Sequence, residues 1–305
     1  MRVAVIGAGI SGLASAYFLQ DVAEVHLFEN ETRAGGHSNT VDASFDDVEI
    51  SVDTGFIVFN PLNYPNLVNL FNRLDVLTIG SDMSFSVSLD GGKMEYEGSL
   101  RGLLAQPSNL MRRRYWSMLS DLVRFYRHGP QQVATGPNNE TLAAFIARHG
   151  YGDAFVSDHL VPMGAAIWSA SNESMMGFPV RSFMQFMENH KLLNFIDRPR
   201  WLTVAGGSRN YVDRILASLG KNVHLGTHIT GLRRINGGVS ITIEGQGDVW
   251  FDNVIMAAHA DQSLALIEDA SPEESAVLAA FDFQTNHAVL HSDARLMPQI
   301  GRAHV

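Results

Sequence analysis

A glycine-rich turn between two apolar runs at the start of the chain constrains the fold more than any other feature. The run Val3–Ile6 is apolar and rich in β-branched residues, as is typical of a parallel strand buried on both faces. The pattern G-x-G-x-x-G follows, then apolar residues at helical spacing, and then a second apolar run that ends at Glu29. Strand, loop, helix and strand in this order predict an α/β fold built on a parallel sheet.

Each glycine of this loop meets a separate requirement of a dinucleotide-binding turn. Gly7 permits the tight turn, Gly9 lets a diphosphate approach the backbone, and Gly12 lets the helix lie close to the sheet. Free N–H groups at the helix start favour phosphate, and Glu29 is placed to accept hydrogen bonds from a ribose diol. A glycine-rich turn of another α/β fold is the alternative. The predicted nucleotide-binding residues are Gly7, Ala8, Gly9, Ile10, Ser11, Gly12, Glu29 and Asn30.

The stretch Glu29–His37, E-N-E-T-R-A-G-G-H, resembles the E-x-x-x-R-x-G-G extension of the FAD-dependent amine oxidase superfamily. That superfamily includes amine oxidases, phytoene desaturases and protoporphyrinogen oxidases. The resemblance implies FAD as the cofactor and adds Arg33, Gly35, Gly36 and His37 to the candidate site. Arg33 can reach a phosphate or its surroundings, and the double glycine lets the backbone pass beside an extended cofactor. For Arg33 the alternative is a solvated surface side chain.

Further stretches extend the resemblance over nearly the whole chain. In Asp53–Asn60 it implies contacts near the ribityl chain of the flavin from Thr54, Gly55 and Phe56, with an ordinary strand as the alternative. In a strand predicted at 223–232 it implies that the backbone of Ile229 meets the adenine. The narrower resemblance is to bacterial amine-oxidase-like proteins described as NAD/FAD-binding, in stretches 53–60, 189–193, 201–211 and 286–291.

The remaining patterns predict the elements of the rest of the chain. Strands are expected at 83–97 (a hairpin), 223–232, 239–251 (a hairpin), 254–258 and 288–291, helices at 103–127, 140–149, 153–168 and 182–195, and a loop at 129–139. The stretch 201–212 is typical of a strand, a glycine turn and a helix, and the block that it opens returns to the pattern of the cofactor domain. The resemblance implies a Rossmann-like FAD/NAD(P)-binding domain, residues 1–80 and 200–265, with an inserted α+β substrate (cap) domain, residues 81–199 and 266–305. The superfamily's C-terminal Gly-Asp element has no counterpart here, so we expect the substrate domain to be C-terminally incomplete. We expect an enzyme, with an inactive truncated chain as the alternative.

Composition limits the kinds of partner and chemistry that are expected. A net charge of −10 argues against nucleic acid as a partner. The absence of cysteine excludes disulfides and cysteine nucleophiles, and it is compatible with the cytoplasm, which is the expected location. No apolar run reaches the length of a membrane span. The histidine pairs 224/228 and 287/291 lie in strand-like segments, too far apart for one metal ion, so no metal is expected. The triple arginine 112–114 could meet an acidic lipid surface or a charged substrate, or simply face solvent.

The resemblance implies an FAD-dependent oxidoreductase that moves hydride from a substrate C–H bond to the flavin. The bond would lie beside an amine nitrogen or along an apolar chain, so the partner is a small molecule, with lipid-like substrates included. No catalytic residue is assigned, because Lys93, Lys191 and Lys221 match no family motif. Three alternatives stay open: a flavin-dependent sugar mutase, an NAD-dependent dehydrogenase, and a non-catalytic or truncated dinucleotide-binding protein.

Overall fold

The chain divides into two units that are interleaved in sequence. The computed structural model describes residues 1–45, 47–168, 170–194, 198–283 and 285–297. Unit 1 contains Met1–Val58, Pro65–Ile79 and Thr203–Leu290, and unit 2 contains Phe59–Tyr64, Gly80–Leu202 and the described residues from His291 onward.

The strands are short and fall mainly in unit 1. They are β1 Arg2–Ile6, β2 Glu24–Phe28, β3 Thr40–Phe45, β4 Val48–Asp53, β5 Thr78–Ser81, β6 Ser86–Leu89, β7 Met94–Glu97, β8 Trp201–Val204, β9 Val223–His224, β10 Ile229–Ile235, β11 Gly238–Ile243, β12 Gly247–Phe251 and β13 Asn253–Met256. The α-helices are α1 Ile10–Leu19, α2 Pro65–Arg73, α3 Arg113–Ala134, α4 Leu142–His149, α5 Asp153–Phe155, α6 Val161–Trp168, α7 Asn172–Gly177, α8 Val180–Asn189, α9 Arg209–Leu219, α10 Ala260–Leu266 and α11 Pro272–Leu278. A π-helical segment, Val156–Leu160, joins α5 to α6, and 3₁₀ turns lie at Gly102–Leu104, Pro107–Met111, Gly220–Asn222 and Ala294–Leu296.

A four-stranded parallel sheet organises unit 1. Its order is β13-β1-β2-β9, with Ala4 opposite Val254 of β13 and opposite His26 of β2. The predicted βαβ unit is therefore present as β1, α1 and β2, and the predicted α/β fold is confirmed. Because all four strands run the same way, their carboxyl ends meet at one edge, where ligands bind in sheets of this kind.

The parallel sheet is covered on both faces. On one face, Ala4, Ile6 and Phe28 share a hydrophobic cluster with residues of the antiparallel sheet β10-β11-β12, including Ile241 and Phe251. Val3 and Val5, which alternate with them along β1, are also buried, and α1 packs against β1 and β2. Removal of each large apolar side chain from water contributes about 1.5–3 kcal/mol, so this double cover accounts for the apolar run Val3–Ile6 of β1.

Unit 2 is mainly helical. Helices α3, α4, α7 and α8 pack around a cluster that includes Phe125, Phe145, Phe155 and Phe183. The hairpin β6-β7 lies against the start of α3, where Tyr96, Tyr115 and Met118 are buried together. The hairpin expected at 83–97 is therefore present, with its turn between Leu89 and Met94. Within the described residues, no helix combines the length and the apolar character needed to cross a bilayer.

The prediction of a single strand at 223–232 is wrong, because the segment forms two strands, β9 and β10, that belong to two different sheets. β9 ends at His224, and the chain turns at Gly226, where φ is +61°. The amides of Gly226 and Thr227 donate to the carbonyl oxygens of Glu31 and Glu29, both at 2.9 Å. Backbone bonding to the end of β2 therefore interrupts the apolar run before β10 begins.

Helix bounds in unit 2 also differ from the sequence prediction. The helix expected at 103–127 begins only at Arg113, because Pro107 lacks an N–H and limits the preceding stretch to 3₁₀ turns. The prediction of a loop at 129–139 is wrong for residues 129–134, which are the last residues of α3. Helix α3 continues through Pro130, since Gly129 packs against α8 so closely that a Cβ would stand 2.9 Å from Met184 Cε.

Two further predicted elements, the helix at 182–195 and the strand at 288–291, also differ from the structure. The helix expected at 182–195 ends at Asn189, before Lys191 at φ +52°, and Phe195 lies outside the described residues. The strand expected at 288–291 is absent from the described chain: Val289 is 78% exposed, and no described strand pairs with this segment.

The unit boundaries differ from the domain boundaries expected from the sequence at two places, apart from shifts of one to three residues. Phe59–Tyr64 cluster with unit 2, where Phe59 and Leu202 exchange backbone hydrogen bonds. Residues 266–290 cluster with unit 1. The reason is local, because the amide of Glu268 donates to the Leu232 carbonyl at 2.9 Å and Arg234 pairs with Asp269 and Glu274. These bonds tie α10 and α11 to β10.

Candidate functional site

The candidate site begins at the loop between β1 and α1. Gly7 has φ +102° and donates its N–H to the Phe28 carbonyl at 2.8 Å, so the chain turns sharply beside the end of β2. A Cβ on Gly12 would overlap the Gly7 carbonyl oxygen, which makes the third glycine a packing requirement. The turn predicted for Gly7 and the close approach predicted for Gly12 are both confirmed.

Gly9 is the open position of this loop. It precedes the first residue of α1 with extended backbone, and no atom of the described residues lies within 4 Å of the point where its Cβ would stand. No described side chain caps α1, and its first turn contains no acidic residue. The N–H groups of Ile10, Ser11 and Gly12 lack intrahelical acceptors by helix geometry, so this end presents donors and a partial positive charge.

Glu29 stands directly after β2 and faces the loop. Its Oε2 accepts a hydrogen bond from the Ala8 amide at 2.7 Å, and its Oε1 accepts one from the Glu31 amide at 3.0 Å. A carboxylate has about four acceptor positions, so two remain for other donors. The carboxylate is thus held at the carboxyl edge of the sheet.

Arg33 is exposed, as the alternative interpretation expects, yet its guanidinium also bonds to the backbone of the double glycine. Its guanidinium donates to the carbonyls of Ala34 at 3.0 Å and Gly36 at 2.9 Å, with a longer bond to Ser38. The Gly35 amide donates to the Ala8 carbonyl at 2.8 Å, and a Cβ on Gly36 would stand 3.1 Å from Gly9 Cα. The second glycine motif therefore packs on the first, and Arg33 holds it there.

The stretch Thr54–Phe56 packs on the same turn. The Phe56 amide donates to the His37 carbonyl at 2.8 Å, and a Cβ on Gly55 would stand 2.2 Å from that oxygen. Thr54 is bonded to Asn39 through both backbone and side chain. Gly55 is therefore required for close backbone approach, although what it approaches is the chain itself.

Asp53 is a residue that sequence reasoning did not assign. Its carboxylate accepts from the Ser208 amide at 2.9 and 3.0 Å, from Ser208 Oγ at 2.7 Å and from Thr40 Oγ1 at 2.6 Å. Ser208 immediately precedes α9, so Asp53 compensates the positive end of that helix and joins it to β3 and β4. The acid before Thr54-Gly55 was the only local signal for this role.

Asn30 and Ile229 lie near the end of β2. His228 Nδ1 donates to Asn30 Oδ1 at 2.6 Å, which fixes the proton on that nitrogen. Ile229 follows as the first residue of β10, and its side chain is buried in the cluster between the two sheets. The structure thus brings the predicted adenine-side residue next to the predicted ribose-side residues.

His37 belongs to a row of rings that the sequence did not reveal. Its ring stacks on His259 at 6.3 Å between centroids, and His259 stacks on Phe283 at 4.3 Å with an interplanar angle of 3°. His259 caps α10 directly after β13, at the edge where Gly7 lies against Ala257. The strand order, which places β13 beside β1, creates this proximity.

Unit 2 contains a buried polar cluster centred on His159 of the π-helical segment. Tyr96 Oη donates to the Asp158 carbonyl at 2.7 Å, so His159 Nδ1 must donate to Tyr96 at 3.0 Å. His159 Nε2 then accepts from Tyr126 Oη at 3.2 Å. Burial lowers the pKa of His159 to about 4 and raises the pKa of Tyr126 to about 12. The histidine is therefore neutral at pH 7, as these bonds require.

The histidines of the parallel sheet form a pair and not a metal site. His26 Nδ1 lies 3.1 Å from His224 Nε2, and Glu24 Oε1 lies 3.0 Å from His26 Nε2. Burial and the neighbouring His26 lower the pKa of His224. Across the part of the chain that the structure describes, no group of three potential ligands could hold a metal ion.

Comparison with known proteins identifies the family. The family model described as flavin-containing amine oxidoreductase matches residues 10–285, and the chain therefore belongs to this family. The family is one of flavin-containing oxidoreductases, and its cofactor is FAD.

Solved structures share the fold at low identity. Wild-type putrescine oxidase bound to putrescine has a TM-score of 0.68 at 16% identity, over 92% of this chain and 63% of that chain. Cyclohexylamine oxidase from Brevibacterium oxydans has a TM-score of 0.61 at 19% identity, over 91% and 62%. The fatty acid isomerase from P. acnes that produces CLA has a TM-score of 0.55 at 16% identity, over 91% and 63%. The chain thus spans less than two thirds of the length of these proteins.

Proposed function

We propose that unit 1 binds FAD at the carboxyl edge of its parallel sheet and that the protein oxidises a C–H bond of a small-molecule substrate. The observation that carries this proposal is the free space at Gly9 beside the uncapped start of α1. A diphosphate fits there, because it would accept hydrogen bonds from the backbone and meet the positive end of the helix. The residues present therefore suit the cofactor of the family.

Glu29 would bind the ribose of the adenosine half. Its two unused acceptor positions match the two hydroxyls of a ribose diol, while the Ala8 and Glu31 amides keep the carboxylate oriented. A 2′-phosphate would meet a negative charge at this point, which disfavours NADP. Asn30 and Ile229 lie next to this contact and would flank the adenine.

Arg33 would act as a positioning residue. Its three bonds to loop carbonyls keep Gly35 and Gly36 against Gly9, where the backbone must pass close to an extended ligand. Thr54, Gly55, Phe56 and His37 continue the same surface, since Phe56 and His37 are joined through the backbone.

The bound cofactor would supply the redox chemistry by accepting a hydride and passing the electrons to an acceptor. The residues of this chain would bind and orient it. The names of putrescine oxidase and cyclohexylamine oxidase describe amine substrates, which favours a C–H bond beside an amine nitrogen here. An apolar chain is the second candidate, because a fatty acid isomerase shares the fold.

Titration calorimetry with FAD, ADP and NAD tests the binding step. We expect FAD and ADP to bind, and Glu29→Gln to weaken both about tenfold or more, because a hydrogen bond to a charged group contributes about 1.5–3 kcal/mol. Glu31→Gln is the matched control, since only the backbone of Glu31 contacts Glu29. Binding of NAD without FAD would contradict the proposal, and binding of ADP alone would favour a non-catalytic protein.

Anaerobic mixing of the FAD-loaded protein with substrates tests the reaction. Loss of the visible flavin absorption on addition of a primary amine would support amine oxidation. Loss of absorption with an unsaturated fatty acid alone would favour the second candidate. Rearrangement of a sugar nucleotide with no net oxidation would instead indicate a mutase.

A further inference from the structure

Unit 2 exposes a cluster of large apolar side chains on one continuous stretch, residues 100–116. Met111 is 90% exposed, and Leu100, Leu104, Leu110 and Trp116 are each at least one third exposed. The stretch comprises the 3₁₀ turns Gly102–Leu104 and Pro107–Met111 and the first residues of α3. We refer to these five side chains, together with Arg101, Arg112 and Arg113, as the 100–116 surface.

The outward side chains stand on a firmly anchored backbone. Leu103, Asn109 and Tyr115 point inward and are buried, and Tyr115 Oη donates to the Leu103 carbonyl. Asn109 Nδ2 donates to the Glu95 carbonyl at 2.8 Å. Trp116 Nε1 donates to the Leu110 carbonyl at 2.8 Å, so the polar atom of this exposed indole is satisfied. These bonds hold the backbone of the stretch in place.

The charges of this surface oppose those of the rest of the protein. The chain has a net charge of −10, yet Arg101, Arg112 and Arg113 are exposed and form no ion pair within the described residues. Arg114 differs from them, because it is bonded to Asp153 and Asp158. Cationic side chains at the start of a helix oppose its macrodipole, so these arginines do not serve the stability of α3.

Exposed apolar side chains beside unpaired cations suit one kind of partner. Interfacial segments insert leucine, methionine and tryptophan among lipid headgroups while arginines meet anionic phosphates. Tryptophan is enriched at that boundary because its ring is apolar and its N–H is polar. We propose that the 100–116 surface docks the protein on an anionic phospholipid bilayer. This inference is independent of the proposed cofactor and reaction.

Flotation of the purified chain with lipid vesicles tests the proposal. We expect partitioning onto phosphatidylglycerol–phosphatidylcholine vesicles that falls with added salt, and little onto pure phosphatidylcholine. A basic side chain near an anionic membrane contributes a factor of about five, so Arg112→Gln with Arg113→Gln should lower partitioning about 30-fold. Lys221→Gln with Arg233→Gln removes the same charge from exposed positions of unit 1 and should leave partitioning nearly unchanged.

Three further variants separate insertion from simple charge attraction. Met111→Gln removes the apolar side chain without adding a charge; it should also reduce partitioning, without a change in melting temperature, because the side chain it replaces is almost fully exposed. Brominated lipids should quench the fluorescence of the wild-type protein and of Trp250→Phe, but not that of Trp116→Phe. Equal binding to neutral and anionic vesicles, or full binding by Met111→Gln, would overturn the proposal. So would a dimer in sedimentation that Met111→Gln dissociates, since a second copy would then cover the surface.

Discussion

Gly12 lies so close to Gly7 that a Cβ on Gly12 would stand 1.8 Å from the Gly7 carbonyl oxygen. That oxygen belongs to backbone fixed by the bond from Gly7 to Phe28, so it cannot move aside cheaply. Packing thus requires the two outer glycines of the loop, Gly7 and Gly12. At the central glycine, Gly9, no described atom lies within 4 Å of the point where a Cβ would stand.

Gly12→Ala should lower the free energy of unfolding by about 3 kcal/mol, the upper part of the usual range for overpacking. Gly9→Ala should leave that energy within about 0.5 kcal/mol of the wild type, because no described atom meets the new methyl group. The same change should weaken FAD binding roughly tenfold, an effect of about 1.4 kcal/mol. Urea denaturation and calorimetry measure the two quantities.

Gly177→Ala provides the control for Gly9→Ala, since its Cβ would also meet open space among the described atoms. It should change neither stability nor FAD binding. A Gly9→Ala protein that binds FAD like the wild type would show that the diphosphate lies elsewhere.

Arg114 should prove structural, unlike the two arginines before it. Its guanidinium makes two bonds to Asp158, at 2.7 and 2.8 Å, and the side chain of Asp158 is only 8% exposed. Arg114→Met would leave that carboxylate buried without its cation and should cost about 2 kcal/mol of stability, less than a fully buried pair because Arg114 itself is half-exposed. Denaturant titration measures this loss.

Asp153→Asn is the comparison for Arg114→Met. Asp153 also bonds Arg114, at 2.9 Å, but its side chain is 81% exposed. An exposed pair contributes little, so this variant should lose less than about 0.5 kcal/mol. Equal losses in the two variants would show that burial of Asp158 does not set the energy of the cluster.

His159 should make the protein less stable in mild acid. Burial lowers its pKa to about 4, whereas an unfolded histidine titrates near 6.5. Between these values the unfolded state binds more protons, so stability falls as pH falls through 6.5 toward 4. From pH 7 to pH 5 this group alone should cost about 2 kcal/mol. Urea denaturation at the two pH values measures the change.

His159→Gln should reduce that pH dependence by about 2 kcal/mol, because the titrating group is gone while a polar side chain stays between Tyr96 and Tyr126. His287→Gln, at an exposed position, should retain the wild-type dependence. Other histidines of lowered pKa, including His190 and His224, titrate in all three proteins, so the difference isolates His159. An unchanged slope in His159→Gln would contradict the bonding pattern assigned to the cluster.

Local sequence was enough to predict the first half of the candidate site. The spacing of Gly7, Gly9 and Gly12 and the acid after β2 are features of one βαβ unit, so their geometry is set within 30 residues. Contacts between distant segments were not predictable in the same way. The bond from Asp53 to Ser208 and the stacking of His37 on His259 depend on strand order, which no short pattern encodes.

Tertiary packing also overrode local propensity, once by extending a helix past a proline and once by dividing an apolar run into two strands. Pro130 would normally end a helix, but contact of Gly129 with Met184 keeps α3 helical beyond it. The apolar run at 223–232 favours one strand, but bonds from Gly226 and Thr227 to the end of β2 divide it. In each case a partner far along the chain determines the local conformation.

The pairing of β1 with β13 has a consequence for biosynthesis. Val3 lies opposite Asn253, so β1 waits for one of its two neighbours until 250 further residues have been translated. At 5–20 residues per second this delay is roughly 12–50 seconds. During that time one edge of β1, whose residues Val3–Ile6 are all apolar, is without a strand partner, and such an edge favours aggregation.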